Sequence, residues 1–255
     1  MDRPKIIVAL PAYNEALNIG ALLDNFESTL ALNLGFGFDR KYVIVDDGSA
    51  DETRKILKDY ATKIPMRIVV HEQNQGLGPT IRDALQAATE EASSGDIIIT
   101  MDADNTHSPG LMPLMVQKIL EGHDIVIASR FRKGARVIGL SWLRKCLSIG
   151  ASVMMRIIFP LKGVRDYTCG FRAYRAELLQ KAFKVYGASF IDQKGFQCMS
   201  DILIKLRRFN LIAEEVPMIL RYDFKKGNSS MNVGLTVIQT LRLVVLRRFG
   251  VVGNS

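Results

Sequence analysis

The sequence predicts an α/β fold: a mostly parallel, twisted central sheet with helices on both faces. Three observations carry this reading. Five short apolar runs, KIIVAL, KYVIVD, MRIVVH, DIIITM and DIVIAS, fall within the first 129 residues, and each is too short for a helix. Segments with apolar residues at helical spacing separate them, an alternation that builds parallel sheets covered on both faces. Finally, the strands end in polar residues, Asn14–Glu15, Asp46–Asp47, Asp102–Asp104 and Ser129–Arg130. Ligands of such sheets bind beyond the carboxyl ends of the strands.

Taken in order, residues 5–10 form the first strand, bounded by Pro11. A helix is expected from about Glu15 to Leu32, because Leu22, Leu23, Phe26 and Leu30 share one face and Asn14 is available as a cap. Residues 41–46 are the second strand; Asp51 can cap the helix through RKILKDYATK, which Pro65 stops. Residues 66–71 form the third strand, followed by a Gly-rich link and a helix over about 79–92. Strands at 96–101 and 124–129 complete the alternation. Beyond residue 130 the spacing predicts a helix over 142–159, a strand over 211–220 and a last helix over 233–249.

A chain of 255 residues with 48% hydrophobic residues buries a full core and is not a disordered protein. Its three cysteines, Cys146, Cys169 and Cys198, are widely spaced, which fits a reducing compartment and excludes a disulfide scaffold or zinc ribbon. No secretory signal is read, since the apolar run at 6–10 stops at Pro11. Residues 1–129 carry 11 Lys and Arg against 19 Asp and Glu, a net −8, whereas 130–255 carry 23 against 7, a net +16. The second half therefore expects an anionic partner. Zinc knuckles, helix-turn-helix patterns and aromatic-basic interleaving are missing, so nucleic acid is not that partner. In the 142–159 helix, Arg144, Lys145, Ser148, Ser152 and Arg156 share one stripe and apolar residues cover the rest. Such a helix fits either a membrane surface or a core with one solvated stripe.

DIIITMDADNTHSP places Asp102 and Asp104 one residue apart at a strand end. If the strand stays extended through Ala103, both carboxylates point the same way and can converge on a hard cation such as Mg²⁺ or Mn²⁺. The competing reading is a turn, for which Asp and Asn are ordinary residues.

PAYNE (11–15), DDGSADET (46–53), NQGLGPTIRDAL (74–85), DADNTH (102–107), ASRF (128–131) and DYTCGFRAYR (166–175) occur in one order. That order resembles the inverting family 2 glycosyltransferases with their nucleotide-sugar-binding GT-A fold, and within them the dolichyl-phosphate mannose synthases and bacterial polyprenyl-phosphate relatives. The resemblance covers nearly the whole chain. It implies a catalytic domain over 1–230, with a nucleotide-sugar half at 1–129 and an acceptor half at 130–230, and a membrane-proximal helix at 231–255.

The resemblance also implies roles. Pro11, Tyr13, Glu15 and Asp46 would hold the nucleoside, with Asp47 and Ala103 close by. A helix-capping turn is the competing reading of Asp46 and Asp47. Gly76 and Gly78 would lie beside the donor or form a plain loop. Asp102 and Asp104 would hold Mg²⁺ or Mn²⁺ and the diphosphate; Thr106 stands where the family often has Gln and offers a hydroxyl oxygen. Arg130 and Arg144 would grip the acceptor phosphate. Lys225, Lys226 and Ser229 match, in kind, a mobile loop over the donor phosphates, although Ser230 replaces its final Lys. The expected activity is transfer of a single sugar, mannose or glucose, from GDP-mannose or UDP-glucose to a polyprenyl or dolichyl phosphate. The protein would sit peripherally on the cytoplasmic membrane face, with a separate membrane-anchoring subunit allowed. The alternative acceptor is a hydroxyl, which needs a carboxylate base: Asp166, Asp192 or Asp201. Asp166 has a second possible role, orienting an arginine. A processive polymerase is disfavoured because residues 239–243 read QTLRL, without Trp.

Overall fold

The structure, a computed structural model, describes residues 4–33, 38–140, 142–224 and 233–250; within these, the side chains of 30–33, 143–145, 224 and 233 are not described. The elements run β1 (Lys5–Ala12), α1 (Ile19–Asn33), β2 (Asp39–Asp46), α2 (Thr53–Ala61), β3 (Met66–Val70), α3 (Leu77–Glu91), β4 (Ile97–Thr100), α4 (Met112–Leu120), β5 (Ile125–Ser129) and β6 (Arg136–Ile138). Then follow α5 (Trp142–Ile158), β7 (Arg172–Arg175), α6 (Ala176–Tyr186), α7 (Cys198–Leu206), β8 (Ala213–Pro217), β9 (Ile219–Arg221) and α8 (Val233–Phe249).

Seven strands form one sheet in the order β3-β2-β1-β4-β7-β5-β8. All neighbours are parallel except β7, which runs antiparallel between β4 and β5. The five apolar runs became the expected strands. β1, β4 and β5 are buried along nearly their whole length, as continuous apolar runs require when helices cover both faces. β7 was not foreseen: RAYR is short and polar at both ends, yet Arg172 is fully buried and donates to the carbonyls of Tyr167 and Met199.

Three boundaries differ from expectation for identifiable reasons. The first helix starts at Ile19 rather than Glu15, because Asn14 takes a left-handed φ of 54° and the Glu15 carbonyl accepts from the Asn18 and Ile19 amides in a tight turn. Asn14 thus belongs to the loop and does not cap α1. The strand expected over 211–220 divides at Pro217: β8 pairs with β5, and β9 turns away to pair with β6 in a separate two-stranded sheet. Finally, β4 stops at Thr100, so it does not stay extended through Ala103.

α5 and α8 pack against each other, and Ser152, Met155, Thr240, Leu243 and Val244 of the two helices are buried. The burial of Ser152 removes it from the solvated stripe expected of α5. What α5 exposes is Trp142, Ile149, Val153 and Ile157, residues that return to one face, with Arg156 beside them. α8 likewise exposes Leu235, Ile238, Leu241, Val245 and Phe249, flanked by Arg242. Among the described residues, no helix is long and apolar enough to cross a membrane.

Candidate active site

The loops after β1 and β2 are laced together. The Asn14 amide donates to Ser49 Oγ (2.9 Å), the Ala50 amide to Asn14 Oδ1 (2.8 Å), the Glu15 amide to Thr53 Oγ1 (2.8 Å) and the Ala16 amide to Asp51 Oδ2 (3.0 Å). Asp51 also accepts from the Thr53 amide at the start of α2. The two motifs therefore form one rigid rim, from which Tyr13 projects, 41% exposed.

Asp46 and Asp47, expected to face a nucleoside, are buried and already bound by protein donors. Asp46 accepts from the Ser49 amide (3.0 Å) and from Arg54 Nε (2.7 Å). Asp47 accepts from the Gln75 and Gly76 amides (2.9 and 3.0 Å) and lies 2.7 Å from His71 Nδ1; the other ring nitrogen of His71 meets Asp83 at 3.0 Å. Asp47 is an organiser that fixes the Gly-rich loop to the sheet. That loop has its own neighbour: the Gly78 amide donates to the Lys194 carbonyl, and a Cβ on Gly78 would fall 1.6 Å from the Gln193 carbonyl oxygen. Gly78 is needed for close packing on residues 193–194.

After β4 the chain bends. Asn105 takes φ 59°, and Asp104 Oδ1 accepts from the Thr106 amide (3.1 Å) and hydroxyl (2.7 Å). The turn reading of DADNTH is thus correct for the backbone. It does not exclude the cation reading, since Asp102, Asp104 and Thr106 all line one cavity, while Ala103 turns into the core. A carbon on Gly170 would sit 3.2 Å from Asp102 Oδ1, so glycine keeps that flank of the carboxylate open.

Arg130, at the end of β5, lines the same cavity. Asp166 fixes it: Nε donates to Oδ2 (2.8 Å), Nη2 to Oδ1 (2.6 Å), and the Arg130 amide to Oδ2 (3.0 Å). Nη2 also reaches Thr168 Oγ1 (2.5 Å). None of these bonds uses Nη1. Burial opposes ionisation of both partners, but the attraction and hydrogen bonds between them outweigh it. The Asp166 carboxyl is held below its ordinary range and the Arg130 guanidinium stays charged. Behind them, Glu215 Oε1 accepts from the Arg165 and Asp166 amides at 2.6 Å each, a support that sequence reasoning missed.

The other two candidate bases are also engaged. Arg247 of α8 donates to Asp201 (2.7 and 2.9 Å) and to Asp192 (2.9 Å), and Lys205 lies 2.9 Å from Asp201 and 3.1 Å from Asp192. Burial pushes the Cys169 and Cys198 thiols up to about 12, which leaves neither as a nucleophile. Arg144 lies in α5 with its side chain outside the described residues, as are Lys225, Lys226 and Ser229 altogether.

The cavity measures about 390 Å³. Its lining is mixed: Asp102, Asp104, His107 and Arg130 supply charged and polar groups, and Leu147, Ala151 and Met154 of α5 with Val237 and Leu241 of α8 supply apolar ones. Among the described residues no three acidic, His or Cys side chains converge as a closed metal cage. Two carboxylates with open positions nonetheless suit a hard divalent cation that shares a diphosphate.

Comparison with known proteins agrees with this geometry. A family model described as "Glycosyl transferase family 2" matches residues 7–183. The chain is 30% identical to a dolichol-phosphate mannosyltransferase of Pyrococcus furiosus over 93% of its own length, and it spans 62% of that relative. It is 28% identical to a polyprenol monophosphomannose synthase of Mycolicibacterium smegmatis, covering 84% of this chain and 76% of that one. The crystal structure of glucosyl-3-phosphoglycerate synthase from Mycobacterium tuberculosis with Mn²⁺, UDP and product superposes with a TM-score of 0.66 at 22% identity, over 99% of this chain and 82% of that one. At that identity the likeness establishes the fold, GT-A. With the motifs on the expected strand ends and the family model spanning the loops after β1, β2, β4 and β5, this chain belongs to glycosyl transferase family 2.

Proposed function

We propose that the protein transfers one sugar from a nucleotide-sugar donor to a polyprenyl phosphate at the cytoplasmic face of a membrane. The observation that carries this reading is one cavity lined both by Asp102, Asp104 and Arg130 and by apolar residues of α5 and α8, two helices that also expose apolar faces. An acceptor with an anionic head and a hydrocarbon tail fits both kinds of lining. The relatives named for dolichol and polyprenol acceptors support the same class.

Tyr13, with Pro11 and Glu15, forms the rim where the nucleoside rests, and Asp46 and Asp47 stiffen it from behind. Asp102 and Asp104 would hold Mg²⁺ or Mn²⁺, which offsets the charge that develops on the departing nucleoside diphosphate. Arg130, pinned by Asp166 and Thr168, presents Nη1 to the acceptor phosphate. A phosphate oxygen attacks the anomeric carbon as its bond to the diphosphate breaks on the opposite side, inverting the configuration. A phosphate monoester has a second pKa of about 6, so it attacks without a base. The hydroxyl-acceptor reading requires a free carboxylate, and Asp166, Asp192 and Asp201 are each paired with cations.

The test pairs GDP-mannose, then UDP-glucose, with a short polyprenyl phosphate and Mn²⁺. Radiolabel passing into the organic phase with one donor supports the proposal. Binding of donor without any lipid labelling would sink it.

A further inference from the structure

Buried polar atoms in folded proteins are almost always paired, so each exception asks for an explanation. Among the described residues, three such atoms belong to residues that line the cavity, His107 Nδ1, Gln197 Oε1 and Ser148 Oγ of α5, and of these residues His107 and Gln197 are more than nine-tenths buried. His107 Nδ1 and Gln197 Oε1 have no hydrogen-bond partner, and their residues are only 4% and 6% exposed. Asp102 Oδ2 lies 3.9 Å from His107 Nδ1, beyond hydrogen-bond range, and the Phe171 ring packs on the imidazole with centroids 5.5 Å apart. Gln197 immediately precedes α7 and lines the same cavity as Asp102. The missing Cβ of Gly170 faces Asp102 Oδ1 on one side and Met199 on the other, and the Cys198 thiol feels the Asp102 charge. A Cβ on Gly195 would fall 2.6 Å from Gln197 Oε1 and 2.6 Å from Gln239 Oε1 of α8, so glycine there leaves room beside the orphan oxygen.

We propose that Gln197 and His107 bind hydroxyl groups of the transferred sugar. The inference rests on the function proposed above and deepens it. If Asp102 and Asp104 take the diphosphate and Arg130 the acceptor phosphate, the sugar ring lies between them, in the cavity that His107 and Gln197 help to line. A sugar hydroxyl both donates and accepts, so it satisfies an amide oxygen or an imidazole nitrogen equally. Diphosphate oxygens, which only accept, leave the amide oxygen unpaired.

Titration calorimetry with Mn²⁺ tests this on the full chain, comparing GDP with GDP-mannose and UDP with UDP-glucose. Gln197→Met should weaken the preferred nucleotide sugar by roughly three- to ten-fold while leaving its nucleoside diphosphate unchanged, the loss of one buried hydrogen bond. His107→Phe, which keeps the packing on Phe171, should do the same. Nucleoside diphosphate binding in each variant reports an intact fold. Equal weakening of sugar-bearing and sugar-free ligands, or no weakening of either, overturns the assignment. Wild-type protein that binds none of the four overturns the proposed function and this inference with it.

Discussion

Replacing Asp166 with asparagine separates two roles that a carboxylate in this position can have. Asp166 accepts from the Arg130 amide, Nε and Nη2, from the Thr168 amide (3.3 Å) and from the Cys169 amide (3.1 Å). Its two oxygens are both occupied, so whichever way an asparagine amide is turned, its NH₂ group meets donors. The guanidinium, its side chain 14% exposed, loses its counter-charge. Removing one partner of a buried pair costs about 3–5 kcal/mol, a large share of the roughly 5–15 kcal/mol that holds a domain folded. Denaturant unfolding should show a lower midpoint at unchanged slope. In transfer assays the acceptor KM should rise, because Arg130 is no longer aimed. The pH dependence has a defined sign. A carboxyl held below its ordinary pKa contributes stability that is present above about pH 4 and lost as pH falls through the lowered value. The parent should therefore lose more stability in acid than Asp166→Asn does. Abolished transfer with an unfolding free energy within about 0.5 kcal/mol of the parent would refute this reasoning and make Asp166 a base.

Other outcomes follow from the same geometry. Asp102→Asn and Asp104→Asn should each abolish Mn²⁺-dependent donor binding, read by calorimetry or by the Mn²⁺ resonance signal, with metal-free stability changed by no more than about 1 kcal/mol. Arg247→Met removes the bonds that fasten α8 to Asp201 and Asp192; with Lys205 still beside Asp201, the cost should be about 1–3 kcal/mol, and hydrogen exchange should rise in α8 first. Gly78→Ala drives a carbon into the Gln193 carbonyl and should destabilise by more than about 3 kcal/mol or prevent accumulation of folded protein. Burial pushes the Glu215 carboxyl up, so it stabilises most in acid and that contribution fades as pH rises above about 4.3. Glu215→Gln keeps the acceptor for the Arg165 and Asp166 amides. It should match or exceed parental stability at pH 7 and flatten the pH dependence.

The buried strands were legible because they are apolar throughout, and the polar residues beyond β4 and β5 line one cavity. Asp102, Asp104 and Arg130 meet in one cavity as the motifs implied. What escaped was anything decided by distant partners. RAYR carries no strand period, and only the gap between β4 and β5 makes it one. The groups that hold Asp46 and Asp47, Arg54 and the Gln75 amide, had no local signal either. Glu215 and Gln197 had no signal, since their importance lies in contacts across the fold and in an unmatched oxygen. α5 was amphipathic as expected, but spacing cannot say which face meets the core, and Ser152 went inside while Trp142 and Ile157 stayed out.

The antiparallel β7 has a consequence for anyone who would re-engineer the acceptor. Two strand spacings, roughly 10 Å, separate the ends of β4 and β5, and one short segment, from Asp166 to Arg172, reaches both: Asp166 holds Arg130, and Gly170 flanks Asp102. A chimera joined at residue 130 would import a foreign version of that bridge and lose the registration of donor against acceptor. Its β5 would also depend on pairing with borrowed strands on both sides. A junction after Arg175 keeps the bridge and both pinned residues with the parent, leaving α6 onward, with the β8 edge and the α8 wall, as the exchangeable cassette.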